Sequence, residues 1–220
     1  MLEEYIEKLK PIILELFSEE SSGHDIAHLE RTMKIALYLQ QKEGGDRIII
    51  GISAFLHDIH RIMQKENEGV FVSPKDSLEM VKNILSNIEL TQEQIDKICY
   101  AIEFHENYNW NGENVNDINT LILQDADNLD AIGAIGIGRA FAYGGAHNMK
   151  MYDNKIPLNE ESDYIEGKID ASAIHHFYHK LFKLADNMNT KTAKEIGKQR
   201  TDFMKKFVQE FLYEWNGKIK

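Results

Sequence analysis

The chain of 220 residues has little that would link it to secretion or to a membrane, since it contains one cysteine, Cys99, and no long apolar run. A single cysteine cannot supply a disulfide framework. The longest apolar runs, such as residues 47–56, fall well short of the roughly 20 residues that a membrane-spanning helix needs. The N-terminus alternates acids and lysines and lacks the basic start and apolar core of a signal peptide. We therefore expect a cytoplasmic protein with no membrane partner.

Positive charge is also scarce. The sequence has 25 Lys and Arg against 36 Asp and Glu, which gives a formal net charge of −11. This balance disfavours a nucleic-acid partner, because nucleic-acid binders need basic faces to displace the counterions of the phosphates. It does not exclude a small phosphorylated substrate, since a metal ion and a few Arg or Lys can reverse the local potential.

Sustained strand-like alternation is absent too, and nearly every segment has a helical period. Asp25 is suited to cap a helix that ends at Gly44-Gly45, and Thr91 is suited to cap another. A further helix is predicted over about 46–59. Residues 117–145 resemble a mostly buried helix with a break near Gly133 to Gly138, and a long amphipathic helix ends the chain. The fold class predicted is all-α, as a single-domain helical bundle.

Several polar residues do not fit an ordinary apolar core. Nine histidines and several acids fall into four separated clusters, at residues 23–31, 55–61, 103–106 and 123–131. The last cluster is the most unusual, because three aspartates interrupt an apolar helix and buried carboxylates need a partner or a cation. Metal sites in helical bundles take their ligands from more than one helix, so the clusters predict a metal site.

Other polar groups have simpler interpretations. His24 and His28 imitate the HExxH pattern of zinc proteases, but Asp25 is shorter than the glutamate that such sites need. A helix that starts at or after Asp25 would also leave His24 off the face that carries His28. A second group, His175, His176 and His179, shares its stretch with apolar residues and is interpreted as packing or surface. His147 is interpreted as exposed polarity in a loop.

The order His28, then His57-Asp58, then Asp127 resembles the H…HD…D signature of the HD superfamily of metal-dependent phosphohydrolases. The flanking stretches "HLERTMKIA", "AFLHDI" and "LQDADNLDAIGAIGIGRAF" resemble family elements. The C-terminal stretch "HHFYHKLFKLADNMNT" most closely resembles the bacterial YedJ/YpgQ-type branch. The resemblance covers about residues 20–215 and implies a single HD domain over 1–220. The Gly144-Gly145 pair, several Asn and Pro157 predict a flap at 144–161 beside the site.

The resemblance implies four metal ligands, namely His28, His57, Asp58 and Asp127. Two imidazoles and two carboxylates suit Mn, Fe, Co, Ni or Zn, and Mg with added waters. The implied activity is hydrolysis of a small phosphorylated substrate, such as a nucleoside triphosphate cleaved to monophosphate and pyrophosphate. Catalytic roles are expected for Asp58 and His105. The residues expected to bind substrate are His24, Arg31, Arg61 and Lys183.

One departure from the family pattern leaves the general base open. Several nucleotide-cleaving relatives carry an acid four or five positions after the histidine of the doublet, where this chain has Arg61 and Ile62. Water activation must then depend on the metal, or on His105 or Asp125. The missing acid also leaves open a non-catalytic metal- or nucleotide-binding regulator. An HD-type oxygenase would need a second metal and further histidines, for which His60 and His105 are available. The sequence leaves a homodimer open.

Overall fold

The described part of the chain is helical throughout. The computed structural model describes residues 1–18, 23–67, 70–106, 115–158 and 170–219. Every regular element in these ranges is an α- or 3₁₀-helix, so the all-α prediction is confirmed. None of these helices combines the length and the apolar character that crossing a membrane requires. The chain divides into two compact units, Met1–Asp127 with Asn189–Thr192, and Asn128–Met188 with Ala193–Lys220. The single-domain boundaries stay a prediction.

The first unit contains most of the helices that carry the polar clusters. The helices that begin in it are α1 (Leu2–Leu16), α2 (Ile26–Glu43), α3 (Arg47–Leu56), α4 (Ile59–Glu66), α5 (Leu78–Leu85), α6 (Gln92–Glu103) and α7 (Ile118–Asp130). A short 3₁₀-helix, Pro74–Ser77, precedes α5 and follows the predicted Ser-Pro start.

Helix α3 lies at the centre of this unit. Its residues from Ile49 to Leu56 are all buried, as expected of a helix that is apolar on every side. Helices α1, α2 and α6 all pack against it. Gly51 allows the close approach of α1, because a Cβ there would lie 2.6 Å from a methyl carbon of Leu2. The chain that leaves the C-terminal end of α3 is therefore anchored by the core.

The helix ends show which boundaries the sequence predicts. The carboxylate of Asp25 accepts the backbone N–H of His28 at 2.8 Å, so the predicted cap of α2 is confirmed. Thr91 and Gln94 form a capping box at the start of α6. The helix predicted over 46–59 is wrong in its extent, since α3 ends at Leu56 and α4 begins at Ile59. The apolar pattern runs on through this break without a glycine or proline to mark it.

Asp125 anchors a distant segment to the first unit. Its carboxylate accepts the backbone N–H of Asn189 at 2.7 Å, and the backbone N–H and hydroxyl of Thr190 at 2.8 and 2.7 Å. The side-chain amide of Asn189 donates to the same carboxylate at 3.1 Å. These four donors occupy both oxygens of Asp125, which explains how a carboxylate can be buried inside an apolar helix.

The second unit is built around aromatic side chains. It contains α8 (Gly133–Ala146), α9 (Ala173–His179), a 3₁₀-helix (Leu181–Asn187) and most of α10 (Lys191–Trp215). The ring of Phe141 lies 5.8–6.3 Å from the rings of Phe177, Phe207 and Phe211. The break predicted near Gly133 to Gly138 lies just before that range, at residues 131–132, and α8 runs through Gly138. Gly133, at φ +79°, begins α8 in a conformation that favours glycine.

The segment predicted as a flap begins later than residue 144, where the prediction placed its start. Helix α8 continues through Ala146, and residues 147–158 are irregular. The carbonyls of Lys150 and Met151 accept the backbone N–H groups of Ala173 and Ile174 at 2.9 and 3.0 Å, which holds this part against the start of α9. Residues 159–161 lie outside the described residues. A flap beside the site stays a prediction.

We predict that Asp125→Ala lowers the free energy of unfolding by about 3 kcal/mol, because buried donors of Asn189 and Thr190 would lose their acceptor. Chemical denaturation followed by circular dichroism measures this change. Asp96→Ala is the matched control: Asp96 is an exposed acid on α6 that pairs with Gln92, and its removal should change stability by less than about 0.5 kcal/mol. Equal effects of the two substitutions would contradict the anchoring role of Asp125.

Candidate metal centre

The four predicted ligands come from three places in the chain and meet at one point in the first unit. His28 lies in the first turn of α2, His57 and Asp58 form the turn between α3 and α4, and Asp127 lies on α7. The first three are buried, and the Asp127 side chain is 20% exposed. We call these four residues the four-residue centre. Because the doublet is in a turn, its two side chains need not diverge as they would on a helix.

The polar atoms of the four-residue centre face one another. His28 Nε2 lies 3.2 Å from His57 Nε2, 3.2 Å from Asp58 Oδ2 and 3.4 Å from Asp127 Oδ1. His57 Nε2 lies 3.6 Å from Asp58 Oδ2 and 3.7 Å from Asp127 Oδ1. Two ligands that are each about 2.1 Å from one ion lie about 3.0 Å apart in octahedral and about 3.4 Å apart in tetrahedral geometry. The observed separations therefore fit a common cation.

Hydrogen bonds to the backbone orient the rings. His57 Nδ1 donates to the Ala54 carbonyl at 2.9 Å, which leaves Nε2 of the neutral ring with its lone pair. His28 Nδ1 lies 3.3 Å from the buried hydroxyl of Thr32, one turn further along α2. Partners of this kind on the second ring nitrogen are typical of histidine metal ligands.

The electrostatics of the metal-free centre also favour a cation. Burial disfavours the charged form of His57, but the carboxylates of Asp58 and Asp127 outweigh this effect and raise the pKa of His57 to about 9. Burial likewise disfavours ionised Asp58 and Asp127, yet the neighbouring histidines hold the pKa of both carboxyls below the usual range. The centre thus concentrates negative charge and requires positive charge beside it. The His/Asp cluster of the described residues could hold the divalent metal ion that the sequence predicts.

The residues predicted to bind substrate lie in different surroundings. His24 precedes α2, and its Nδ1 lies 2.7 Å from Asp58 Oδ2, so it touches the four-residue centre directly. The Arg61 guanidinium contacts the carboxylate of Glu106, and its Nε lies 3.8 Å from Asp58 Oδ1. Arg31 is half-buried on α2, one turn beyond His28. Lys183 is half-buried in the second unit, and its role stays a prediction.

His105 lies beside the four-residue centre together with His60, which the sequence offers as a further metal ligand, and Glu106, to which the sequence assigns no role. The His105 ring is 5.0 Å from the His57 ring and 5.6 Å from the His60 ring, measured between centroids. His60 Nε2 lies 3.4 Å from Glu106 Oε1. The polar stretches "HDIHR" and "EFHE" contain these residues. Arg61 stands where several relatives carry an acid, and only the packing of the helices brings an acid, Glu106, into contact with it.

The histidines interpreted as packing or surface groups have local partners in the second unit. His175 is buried, with Nδ1 2.7 Å from the Ser172 hydroxyl. His176 and His179 each place Nδ1 2.6 Å from a different oxygen of Asp170. Their interpretation stays a prediction. Asp130, one of the three unusual aspartates, accepts a 2.9 Å bond from Arg139 and belongs to this unit rather than to the four-residue centre.

Known proteins resemble this chain over nearly its whole length. The HD domain model matches residues 25–132. The uncharacterized protein YpgQ of Bacillus subtilis is 32% identical over 207 residues, which are 93% of this chain and 90% of that protein. An HD-superfamily hydrolase from Bacillus thuringiensis has a TM-score of 0.72 at 34% identity, covering 98% of this chain and 99% of its own. B. subtilis YpgQ in complex with ADP has a TM-score of 0.72 at 28% identity, covering 97% and 96%.

The family model matches the sequence, and the solved structures match the fold. They confirm the HD-type fold that the four sequence elements predict. The chain belongs to the HD superfamily of metal-dependent phosphohydrolases.

Proposed function

We propose that this chain hydrolyses nucleoside triphosphates to nucleoside monophosphates and pyrophosphate, with a divalent ion held by the four-residue centre. The observation that supports this most directly is the convergence of two buried imidazoles and two carboxylates, in which the ring nitrogens lie 3.2 Å from each other and 3.2–3.7 Å from the carboxylate oxygens. The relative YpgQ binds ADP in a crystal structure, which supports a nucleotide substrate. The likeness to the YedJ/YpgQ-type branch supports release of pyrophosphate.

The chain's own residues position the reactants. A divalent ion at the four-residue centre supplies positive charge that polarises a phosphoryl oxygen and lowers the pKa of an attacking water. Asp58 and Asp127 provide the negative charge that would retain such an ion. The hydrogen bond of His57 Nδ1 to the Ala54 carbonyl directs Nε2 of that ring toward the centre. His28, His57, Asp58 and Asp127 would hold such an ion and would leave it free to bind water and a phosphate oxygen.

The group that orients the attacking water is not Asp125. Both oxygens of that carboxylate are occupied by Asn189 and Thr190. His105 is the better choice, because its buried Nε2 has no hydrogen-bond partner among the described residues and groups with His57 and Asp58. Burial lowers the pKa of His105 to about 4, so the ring is neutral at pH 7 and keeps a lone pair. We therefore assign His105 a catalytic role through Nε2.

Cationic side chains would hold the polyphosphate. Arg61 is adjacent to the four-residue centre, and its guanidinium carries five N–H donors, so it can contact a phosphate while it also contacts Glu106. Arg31, one turn beyond His28 on α2, is proposed at greater distance along the polyphosphate. The substrate-binding role of Lys183 stays a prediction. Negative charge on the transferred group makes these contacts stronger in the transition state than with the bound substrate.

We predict that metal-free protein reloaded with Mn²⁺ converts at least one nucleoside triphosphate into its monophosphate and pyrophosphate. The measurement is separation of the products from a nucleotide panel by anion exchange. Asp58→Ala should lower turnover by at least about 1,000-fold and should abolish binding of Mn²⁺ at the four-residue centre, because a buried ligand is lost.

The matched control for this assay is Asp76→Ala, which removes an exposed acid in the 3₁₀-helix that precedes α5. It should retain turnover within a few-fold. Nucleoside diphosphate plus orthophosphate, or nucleoside plus triphosphate, as the only products would contradict the proposed bond cleavage. Tight nucleotide binding without any product would favour the non-catalytic regulator.

We also predict that the affinity for Mn²⁺ rises with pH. The pKa of His57 is raised to about 9 in the metal-free protein, so its ring is protonated at pH 7 and must release this proton to bind an ion. Affinity should increase up to about tenfold per pH unit between about pH 7 and 8.5, measured by isothermal titration calorimetry. The exposed-ring variant His147→Ala should show the same slope. A pH-independent affinity of the parent protein over this range would contradict protonation of His57.

The location and assembly of the protein belong to the same proposal. A small nucleotide substrate is consistent with the cytoplasmic site that the sequence predicts. The sequence predicts that no nucleic acid binds and leaves a homodimer open, and both points stay predictions.

A further inference from the structure

Arg61 lies beside the four-residue centre and contacts two carboxylates. It is in the first turn of α4, and its guanidinium contacts the carboxylate of Glu106, which follows α6. Arg61 Nε also lies 3.8 Å from Asp58 Oδ1. The other oxygen of Asp58, Oδ2, faces the histidines and lies 3.2 Å from His28 Nε2. The guanidinium is therefore next to a residue of the four-residue centre, and Glu106 holds it from a different helix.

Glu106 makes its main polar contact with Arg61. Among the described residues its carboxylate contacts the Arg61 guanidinium and lies 3.4 Å from His60 Nε2, while its second oxygen, Oε2, makes no hydrogen bond. Asp125 provides a contrast, because four donors of a distant segment occupy both of its oxygens. Asp125 thus holds two parts of the chain together, whereas the carboxylate of Glu106 holds one side chain.

Burial strengthens the contact between Glu106 and Arg61. The Glu106 side chain is 10% exposed and the Arg61 side chain is 26% exposed. Burial alone would raise the pKa of Glu106, but His60 and Arg61 lower it to about 2, so the carboxylate is ionised at neutral pH. Hydrogen bonds between ionised partners are stronger than those between neutral groups. The guanidinium is therefore held firmly in one place.

A held guanidinium binds a ligand more readily than a mobile one. An arginine side chain loses much rotamer freedom when a ligand orders it. Because Glu106 already orders Arg61, that loss does not have to accompany ligand binding. Glu106 also keeps this cation beside Asp58, one of the four residues that would bind the ion. A phosphate that binds at the four-residue centre would meet a guanidinium already in position.

We propose that Glu106 is a positioning residue, which holds the Arg61 guanidinium ready to bind a phosphate of the substrate. The planar guanidinium has five N–H donors, so Arg61 can keep its contact with Glu106 and bind a phosphate at the same time. Glu106 itself does not contact the phosphate, since two negative groups repel each other, and acts through Arg61. This inference rests on the proposed function, in which Arg61 contacts a phosphate.

The test is a double-mutant cycle on the binding of α,β-methylene ATP, a nucleotide that resists hydrolysis between its α- and β-phosphates. Calorimetric titration in the presence of Mn²⁺ measures the dissociation constant. Arg61→Ala, Glu106→Ala and Glu106→Met should each raise this constant by at least about tenfold. In the Arg61→Ala background, Glu106→Ala should not raise it further, because the side chain that Glu106 positions is gone. Glu106→Met keeps the length of the side chain, so it carries the test if Glu106→Ala fails to fold.

Glu103→Ala is the matched control. It removes an acid on α6 that pairs with the exposed Lys75, and it should bind the nucleotide like the parent protein. The affinity of both Glu106 variants for Mn²⁺ alone should stay within a few-fold of the parent value. A tenfold loss of that affinity would overturn the positioning role, because Glu106 would then act on the ion. Parent-like nucleotide binding by both Glu106 variants, or an equal loss from Glu106→Ala with and without Arg61, would also overturn it.

Measurements of turnover separate this inference from the proposed function. A protein that shows the expected pattern of binding but releases no product from any nucleoside triphosphate would overturn the proposed function and leave the positioning role intact. Cleavage to monophosphate and pyrophosphate with unchanged kcat/KM in both Glu106 variants would overturn the positioning role and leave the proposed function intact.

Discussion

Two carboxylates, Asp58 and Asp127, lie within 3.7 Å of the ring nitrogens of His28 and His57, and the rest of the site depends on this concentration of charge. Ionised carboxylates are costly to bury unless positive charge lies beside them. In the metal-free protein a proton on His57 supplies that charge. A divalent ion would supply more, which makes the centre selective for cations in a protein whose net charge is −11.

Carbonyl groups at the helix ends fix the orientation of the histidine rings around these carboxylates. The last carbonyls of a helix have no partner within the helix. His57 Nδ1 donates to the carbonyl of Ala54 at the end of α3, and His105 Nδ1 is 2.7 Å from the carbonyl of Ile102 at the end of α6. Each contact satisfies a helix end and directs the opposite ring nitrogen away from it. Because α3 is buried on all sides and closely packed, the ring of His57 is held in a fixed position.

The sequence predicts much of the fold and the four ligands because both leave local or ordered signals. Helical periodicity and the caps at Asp25 and Thr91 predict helix starts, and the resemblance to the H…HD…D signature of the HD superfamily implies the four-residue centre. The break after Leu56 could not be predicted, because the apolar pattern continues across it. Asp125 and Asp127 lie on one helix, and only the contacts of Asp125 with residues about 64 positions away separate their roles. Glu106 reaches Arg61 through the packing of helices, which no local pattern records.

The central claim is that His28, His57, Asp58 and Asp127 hold one divalent ion together. Anomalous X-ray diffraction from crystals of metal-free protein soaked in Mn²⁺ tests it most directly. The account predicts an anomalous peak within about 2.4 Å of His28 Nε2, His57 Nε2 and a carboxylate oxygen of each aspartate. No peak among these four side chains, in crystals where Mn²⁺ is bound elsewhere, would contradict it.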